Sequence, residues 1–197
     1  TSFLTTGGIR GGTEKMGKFH PRSFNMGYTP EVHHSTGGFS EMRFGEDVDL
    51  SIRIIEKGFK SILIKEAFVY HKRRSTLRQF FKQVHNSGIA RINLYKRHPS
   101  SLKAVHFAPA MFTLGCLALI AAALLISPWF LAPLGLHAFL LFLLSSIQNR
   151  CLRVGLLSVL TSYTQLTGYG SGFIISFWRR LVLGRDEYAA FTRNFYK

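Results

Sequence analysis

The stretch that most constrains this chain is the block from residue 104 to residue 149, which contains no Asp, Glu, Lys or Arg. Within it, the apolar runs 104–126 and 129–147 are each close to the ~20 residues that a helix needs to cross a bilayer. The break between them, at Ser127-Pro128, is also uncharged. Because a bilayer interior cannot satisfy an open backbone, the two runs predict a hairpin of membrane-spanning helices.

The charged residues lie on either side of this block. Residues 1–103 hold 18 of the 25 Lys and Arg and 8 of the 10 Asp and Glu, and the net charge of the chain is +15. Nucleic-acid binding is a minor alternative, because basic residues that flank an uncharged block are better suited to anionic lipid. The cationic flanks predict that both ends of the hairpin are cytoplasmic. We therefore expect membrane lipid, and no nucleic acid, among the partners.

A third apolar segment, 154–178, completes a predicted membrane region over residues 104–183, and a basic tail follows over 184–197. The segment is long enough to span, but it contains hydroxyl and amide side chains and the run Gly168-Tyr169-Gly170-Ser171-Gly172. It also has arginines at both ends, so a simple span would leave one basic end outside. The pattern favours re-entry at the glycines or a position in the interface, with Lys197 in the cytoplasm.

Three carboxylates mark the start of a predicted helix in the soluble part. Glu46, Asp47 and Asp49 precede apolar residues at helical spacing, and Gly58 offers a stop, so a helix is expected over about 46–57. Acids at a helix start commonly cap it, and this reading alone would explain one of them. Three are more than a cap requires, and an ionised Asp can also serve as a base.

The remaining soluble sequence predicts strands and one amphipathic helix. β-Rich pieces at 22–28, 61–64 and 67–70 are expected to form strands, with His71 at the end of the last. A basic amphipathic stretch over 75–103 is typical of an interfacial helix with its linker, although packing against the sheet is nearly as good an explanation.

Four ordered motifs resemble the second half of a family 2 glycosyltransferase catalytic domain of the membrane-anchored bacterial type. They are Gly37-Gly38-Phe39-Ser40-Glu41, then Gly45-Glu46-Asp47-Val48-Asp49-Leu50-Ser51-Ile52-Arg53, then Lys57-Gly58-Phe59-Lys60, then Val69-Tyr70-His71. The resemblance implies an α/β fold for residues 1–74, namely the C-terminal part of the GT-A nucleotide-diphospho-sugar transferase fold, followed by α-helical transmembrane segments.

The same resemblance implies an inverting sugar transfer from a nucleotide-diphosphate sugar to a lipid-linked or cell-envelope acceptor. Asp47 would be the general base, and Glu46 and Asp49 would position the helix start or the acceptor. Gly38 and Phe39 would lie beside the acceptor. His71 would be one ligand of a divalent metal, Mg or Mn, and the enzyme would be anchored in the bacterial inner membrane with its catalytic part in the cytoplasm.

Two departures from the family pattern qualify this expectation. The chain has Gln83-Val84-His85-Asn86-Ser87 where processive members carry Gln-x-x-Arg-Trp, which argues against a polysaccharide synthase. It also lacks a nucleotide-binding region with its own Asp-x-Asp, so it is expected to be an incomplete enzyme. The alternative is a non-catalytic, membrane-anchored interaction protein with a basic cytoplasmic face.

Overall fold

A computed structural model describes residues 20–70 and 75–192 of the chain. These residues contain six α-helices together with short 3₁₀ and π turns. The helices are α1 Pro30–Thr36, α2 Glu46–Glu56, α3 Leu77–Arg97, α4 Ala108–Leu125, α5 Ala132–Asn149 and α6 Leu152–Phe177. In the described part of the chain there is no β-strand.

The α/β prediction, and with it the GT-A fold, is therefore wrong for the described residues. The piece at 22–28 contains a 3₁₀ turn, Ser23–Asn25, and residues 61–70 are irregular. Apolar side chains of that second stretch face outward, and Phe68 and Tyr70 are 64% and 95% exposed. β-Branched and aromatic residues favour a strand only where a neighbouring strand completes the ladder, and residues 20–70 and 75–192 supply none.

Helices α1 and α2 form a small hydrophobic unit. Thr29 caps α1 through its side chain, Pro30 occupies the first turn, and Gly37 ends the helix in the left-handed conformation. Helix α2 begins at Glu46, which confirms the helix predicted from the acidic cluster. Leu50 and Ile54 of α2 form a buried cluster with Val32 of α1, so burial of this apolar face holds the two helices together.

Helix α6 continues without interruption through its glycines. At ~1.5 Å per residue, its 26 residues extend over about 40 Å. The helix packs against α3, α4 and α5. A re-entrant turn at Gly168–Gly172 is therefore wrong, because those residues are helical.

The glycines of α6 are instead points of close helix contact. A Cβ atom on Gly168 would lie 2.6 Å from Val84 Cγ2, and one on Gly172 would collide with the backbone carbonyl of His85, both on α3. From the other side, a Cβ on Gly88 of α3 would lie 2.7 Å from the backbone nitrogen of Phe173. Small residues four apart let two helix backbones approach this closely. Hydrogen bonds then form across the contact, for example between His85 Nδ1 and Ser171 Oγ at 3.0 Å.

The C-terminal tail returns along α3. The Asn86 side chain pairs with the backbone of Ala190 as a second peptide group would: its Nδ2 donates to the carbonyl at 2.9 Å and its Oδ1 accepts from the nitrogen at 2.8 Å. Arg97 forms an ion pair with Glu187 at 2.9 Å. At the far end, Arg43 donates to the carbonyl of Thr192. The tail is thus fixed both to α3 and to the loop that precedes α2.

Two helices of the described chain are long and apolar enough to cross a membrane. They are Ala104–Leu125 and Pro128–Asn149, each counted with its leading 3₁₀ turn, and their mean hydropathies are 2.2 and 2.0. Most of their side chains are outside the protein core, since only 17% and 11% of the most apolar windows are buried. This exposure is what a lipid-facing surface requires.

We expect Gly172→Ala to destabilise the protein, because the new methyl group would push against the α3 backbone. Overpacking of this kind lowers the free energy of unfolding by about 1–3 kcal/mol. The better helix propensity of Ala returns roughly 1 kcal/mol at most, so the net effect is a loss of stability. The matched control is Gly115→Ala in α4, where a Cβ meets nothing within 4 Å. Thermal unfolding in detergent should show a lower Tm for the first variant and an unchanged or higher Tm for the second. Equal Tm values would contradict the packing assigned to Gly172.

Candidate functional site

The start of α2 depends on a glycine. Gly45 has φ +87°, a conformation that costs other residues energy, and its carbonyl accepts the first helical hydrogen bonds from Val48 and Asp49. A Cβ at this position would also lie 3.2 Å from Leu94 Cδ1 of α3. Gly45 therefore sets both the direction in which α2 starts and its distance from α3.

The acids in the first turn of α2 occupy different environments. Asp47 and Asp49 are both buried, at 8% and 2% exposure, whereas Glu46 is partly exposed. Residues two positions apart on a helix point in nearly opposite directions. The Asp47 side chain accepts a hydrogen bond from the backbone of Val48 at 2.8 Å, and the hydroxyl of Ser51 donates to the Asp47 carbonyl. The structure thus separates Asp47 from Asp49.

Asp49 is held at both carboxylate oxygens. Its Oδ2 accepts from Arg53 Nε at 3.0 Å and from Arg53 Nη2 at 2.9 Å, and its Oδ1 lies 2.9 Å from His98 Nε2. Burial alone would raise the pKa of Asp49, but the hydrogen bonds from His98 and Arg53, with the charge of Arg53, outweigh it and lower that pKa. Asp49 is therefore ionised and a weak proton acceptor.

Arg53 also ties the glycine turn to α2. Its Nη1 donates to the carbonyl of Thr36 and its Nη2 donates to the carbonyl of Gly38 at 2.7 Å. Gly37 and Gly38 both have φ +73°, so the turn exposes these carbonyls in a conformation that suits glycine. The Arg53 side chain thus joins Asp49 to a turn that lies 15 to 17 residues before Arg53 in the chain.

His98 connects this arrangement to the membrane helices. It caps the C-terminus of α3, and the apolar helix Ala104–Leu125 begins a few residues later. Its second ring nitrogen lies 3.7 Å from Glu56 at the other end of α2. His98 thus contacts both the first and the last turn of α2, and it lies just before the chain enters the apolar region.

The predicted site residues fall into four groups. Gly38 and Asp49 are brought together through Arg53, and Asp47 and Glu46 lie on the same first turn of α2 as Asp49. Phe39 is 44% exposed beside this turn and meets the ring of Tyr28 edge-on, with centroids 6.2 Å apart. His71 lies outside the described residues.

The proposed metal site has no counterpart in the part of the chain that the structure describes. Residues 20–70 and 75–192 contain no group of three His, Cys, Asp or Glu side chains placed to hold an ion. The role of His71 as a ligand stays a prediction.

Arg53 and His98 are the residues that the sequence reasoning missed. The spacing of Asp49 and Arg53, four positions on one helix, is a recognisable ion-pair signal. His98, by contrast, is 49 residues from Asp49, and no local pattern announces the contact.

Comparisons with protein-family models, with curated proteins and with solved structures find no match for this chain.

We expect Asp49→Asn to lower the stability of the protein by about 1.5–3 kcal/mol near neutral pH, the usual value of hydrogen bonds to a charged partner. Since the pKa of Asp49 in the fold is below its ordinary value of 3.8, this stabilisation is present above pH 3.8 and is lost as the pH falls further. Thermal melts of both proteins between pH 3 and 7 should therefore converge at the acid end.

The control is Asp186→Asn, which removes a carboxylate from an exposed position. Its Tm should follow that of the unsubstituted protein across the range. A Tm difference for Asp49→Asn that is the same at every pH would show that charge on Asp49 is not the cause.

Proposed function

We propose that this chain carries the catalytic base and the membrane-facing part of an inverting glycosyltransferase. The donor would be a nucleotide-diphosphate sugar and the acceptor a lipid-linked or cell-envelope glycan. The observation that carries the proposal is the clamp formed by Arg53, which holds the Gly37-Gly38 turn against the acidic start of α2. These are two of the motifs on which the family resemblance rests.

The state of Asp49 supports Asp47 as the base. A general base must accept a proton, and Asp49 is a poor candidate because Arg53 and His98 occupy its oxygens and its pKa is lowered. Asp49 is better suited to position the helix start. Residues two positions apart on a helix project from different sides, so Asp47 leaves α2 on another side than Asp49. Glu46 precedes it at a partly exposed position where an acceptor can be contacted.

The proposed reaction balances without a covalent enzyme intermediate. Asp47 takes the proton of an acceptor hydroxyl as that oxygen attacks the anomeric carbon of the donor sugar. The bond from the anomeric carbon to the diphosphate oxygen breaks, and the nucleoside diphosphate leaves from the opposite face. The configuration at the anomeric carbon is thereby inverted.

A divalent cation, Mg or Mn, belongs to the same proposal with His71 as one ligand. Such an ion stabilises negative charge on a leaving diphosphate. Residues 20–70 and 75–192 offer no set of ligands for such an ion.

We infer a bacterial inner-membrane protein whose soluble part and C-terminus share the cytoplasmic side, and the contacts of the tail support the shared side. Asn86 and Arg43 precede α4, whereas Ala190 and Thr192, which they bind, follow α6. These contacts favour a chain that crosses the membrane an even number of times between them. If α4 and α5 are the two crossings, α6 begins and ends on the same side and lies along the interface. The cationic flanks favour the cytoplasm for that side.

A non-catalytic, membrane-anchored interaction protein is the second candidate. The net charge of +15 favours it, because a strongly basic surface beside two apolar helices suits recruitment to anionic lipid without any chemistry. The two candidates differ in whether the protein transfers sugar, and the assay of the Asp47 variant measures this.

We expect Asp47→Asn to reduce sugar transfer by about 100- to 10,000-fold, the usual cost of removing a general base. Membranes from cells that express the intact gene would be incubated with a panel of radiolabelled UDP- and GDP-sugars. Label in the lipid and envelope fractions measures transfer, and binding of the labelled donor is measured in parallel. Donor binding should be nearly unchanged in the variant.

The matched control for this assay is again Asp186→Asn, which should keep full activity. Transfer by Asp47→Asn at more than a tenth of the unsubstituted rate would remove Asp47 from the role of base. Absence of transfer with every donor of the panel would favour the non-catalytic candidate.

A reporter fused after Lys197 tests the membrane arrangement. We expect cytoplasmic fluorescence from a fused fluorescent protein and no activity from fused alkaline phosphatase, because the tail is bound to α3 and to the loop before α2. Fusions after Ser127, in the turn between α4 and α5, should show the reverse. Phosphatase activity after Lys197 would establish three crossings and contradict the proposed arrangement.

A further inference from the structure

An open apolar groove of about 490 Å³ lies between the start of α4 and the end of α6. Met111 and Leu114 line it from α4, Phe173 and Phe177 line it from α6, and Trp178 lines it from the turn that follows α6. Met111 and Trp178 are 66% and 59% exposed, so the walls are accessible from outside. The volume is within the range of about 300–1,000 Å³ that is usual for small-molecule sites.

The groove ends at an arginine with one buried guanidinium nitrogen that donates to no partner among the described residues. Arg179 lies at its rim, and its Nε has no hydrogen-bond partner in the part of the chain that the structure describes. The Arg179 guanidinium carbon lies 4.2 Å from the ring centroid of Tyr188, a contact with the ring face that does not consume N–H donors.

The backbone and the charges around Arg179 favour an anion there. Helix α6 widens into a π turn at Trp178–Val182, so that Leu183 donates to the carbonyl of Trp178. Single π turns inside helices occur frequently at functional sites. No Asp or Glu occurs between Glu66 and Asp186 in the sequence, and Glu187 already pairs with Arg97.

We propose that this groove binds an anionic phospholipid, with one acyl chain along Met111 and Leu114 and the phosphate at Arg179. The lining is almost wholly apolar, and one wall belongs to α4, which is long and apolar enough to cross a membrane. The occupant therefore enters from lipid. Trp178 lies beside Arg179 in the chain, a position typical of side chains at the level of the lipid headgroups.

Charge complementarity selects the headgroup. A zwitterionic lipid brings a cation next to its phosphate, which Arg179 and the neighbouring Arg180 would repel. Phosphatidylglycerol brings only the phosphate, which matches the guanidinium fork. The site differs from the α2 region proposed for catalysis and does not depend on that proposal.

The test uses photoactivatable phosphatidylglycerol and phosphatidylcholine that carry a diazirine on one acyl chain. The 197-residue protein is reconstituted in nanodiscs with each lipid, illuminated and digested, and the labelled peptides are identified by mass spectrometry. We expect phosphatidylglycerol to label the peptides around Met111, Leu114 and Phe177, and to do so about fivefold more than phosphatidylcholine.

Substitutions then distinguish the contribution of the lipid headgroup to labelling from that of the apolar groove. Arg179→Gln should remove most of the preference, and Arg179→Lys should keep part of it because the charge remains. Arg153→Gln, an exposed arginine at the other end of α6, is the matched control and should change nothing. Leu114→Trp should lower labelling with both lipids by filling the groove, and it tests the site without touching Arg179.

Three results would overturn the proposal. The first is equal labelling by the two lipids, and the second is labelling spread evenly over the outer face of α5. The third is displacement of phosphatidylglycerol by a polyprenyl phosphate at equal concentration, which would assign the groove to a lipid-linked acceptor instead.

Discussion

The close approach of α3 and α6 is the contact on which the rest of the structure depends. Gly88, Gly168 and Gly172 remove the side-chain layer that normally separates two helices, so that backbone lies against backbone. Helix α3 is thereby fixed relative to α6, and α6 packs against both apolar helices, α4 and α5. Helix α3 and the apolar helices therefore pack as one unit around α6, and a side chain at any of these glycines would push the backbones apart.

The sequence predicts the fold where the signal is local. Helix α2 is predicted correctly from its acids, its apolar spacing and Gly58, and α1 was predictable in the same way because Thr29, Pro30 and Gly37 form a cap, a first turn and a stop. The strand predictions were wrong because β-propensity describes which side chains a strand favours. It does not report whether a neighbouring strand is present to pair with it. The glycines of α6 were misread because four-residue spacing of small residues indicates a packed helix as readily as a break.

The candidate site shows the same limit. The acids at the start of α2 and the pairing of Asp49 with Arg53 lie within one helical turn and can be read from the sequence. What fixes their environment comes from far away: His98 reaches Asp49 from the end of α3, and Arg53 reaches back to the Gly38 turn. How readily a carboxylate accepts a proton depends on such contacts, which local spacing in the sequence does not report.

Helix α3 connects the candidate site to the apolar helices. Polar residues that its amphipathic pattern would place in solvent are buried, and Asn86 is fully covered because it binds the returning tail. Satisfying an amide in a buried position requires partners with matched geometry, and the backbone of Ala190 provides both. This pairing brings together residues from before and after the apolar helices, as the proposed topology requires. Arg179, in the π turn after α6, stacks on Tyr188 of the same tail at 4.2 Å, so the folded tail also fixes this arginine at the rim of the apolar groove.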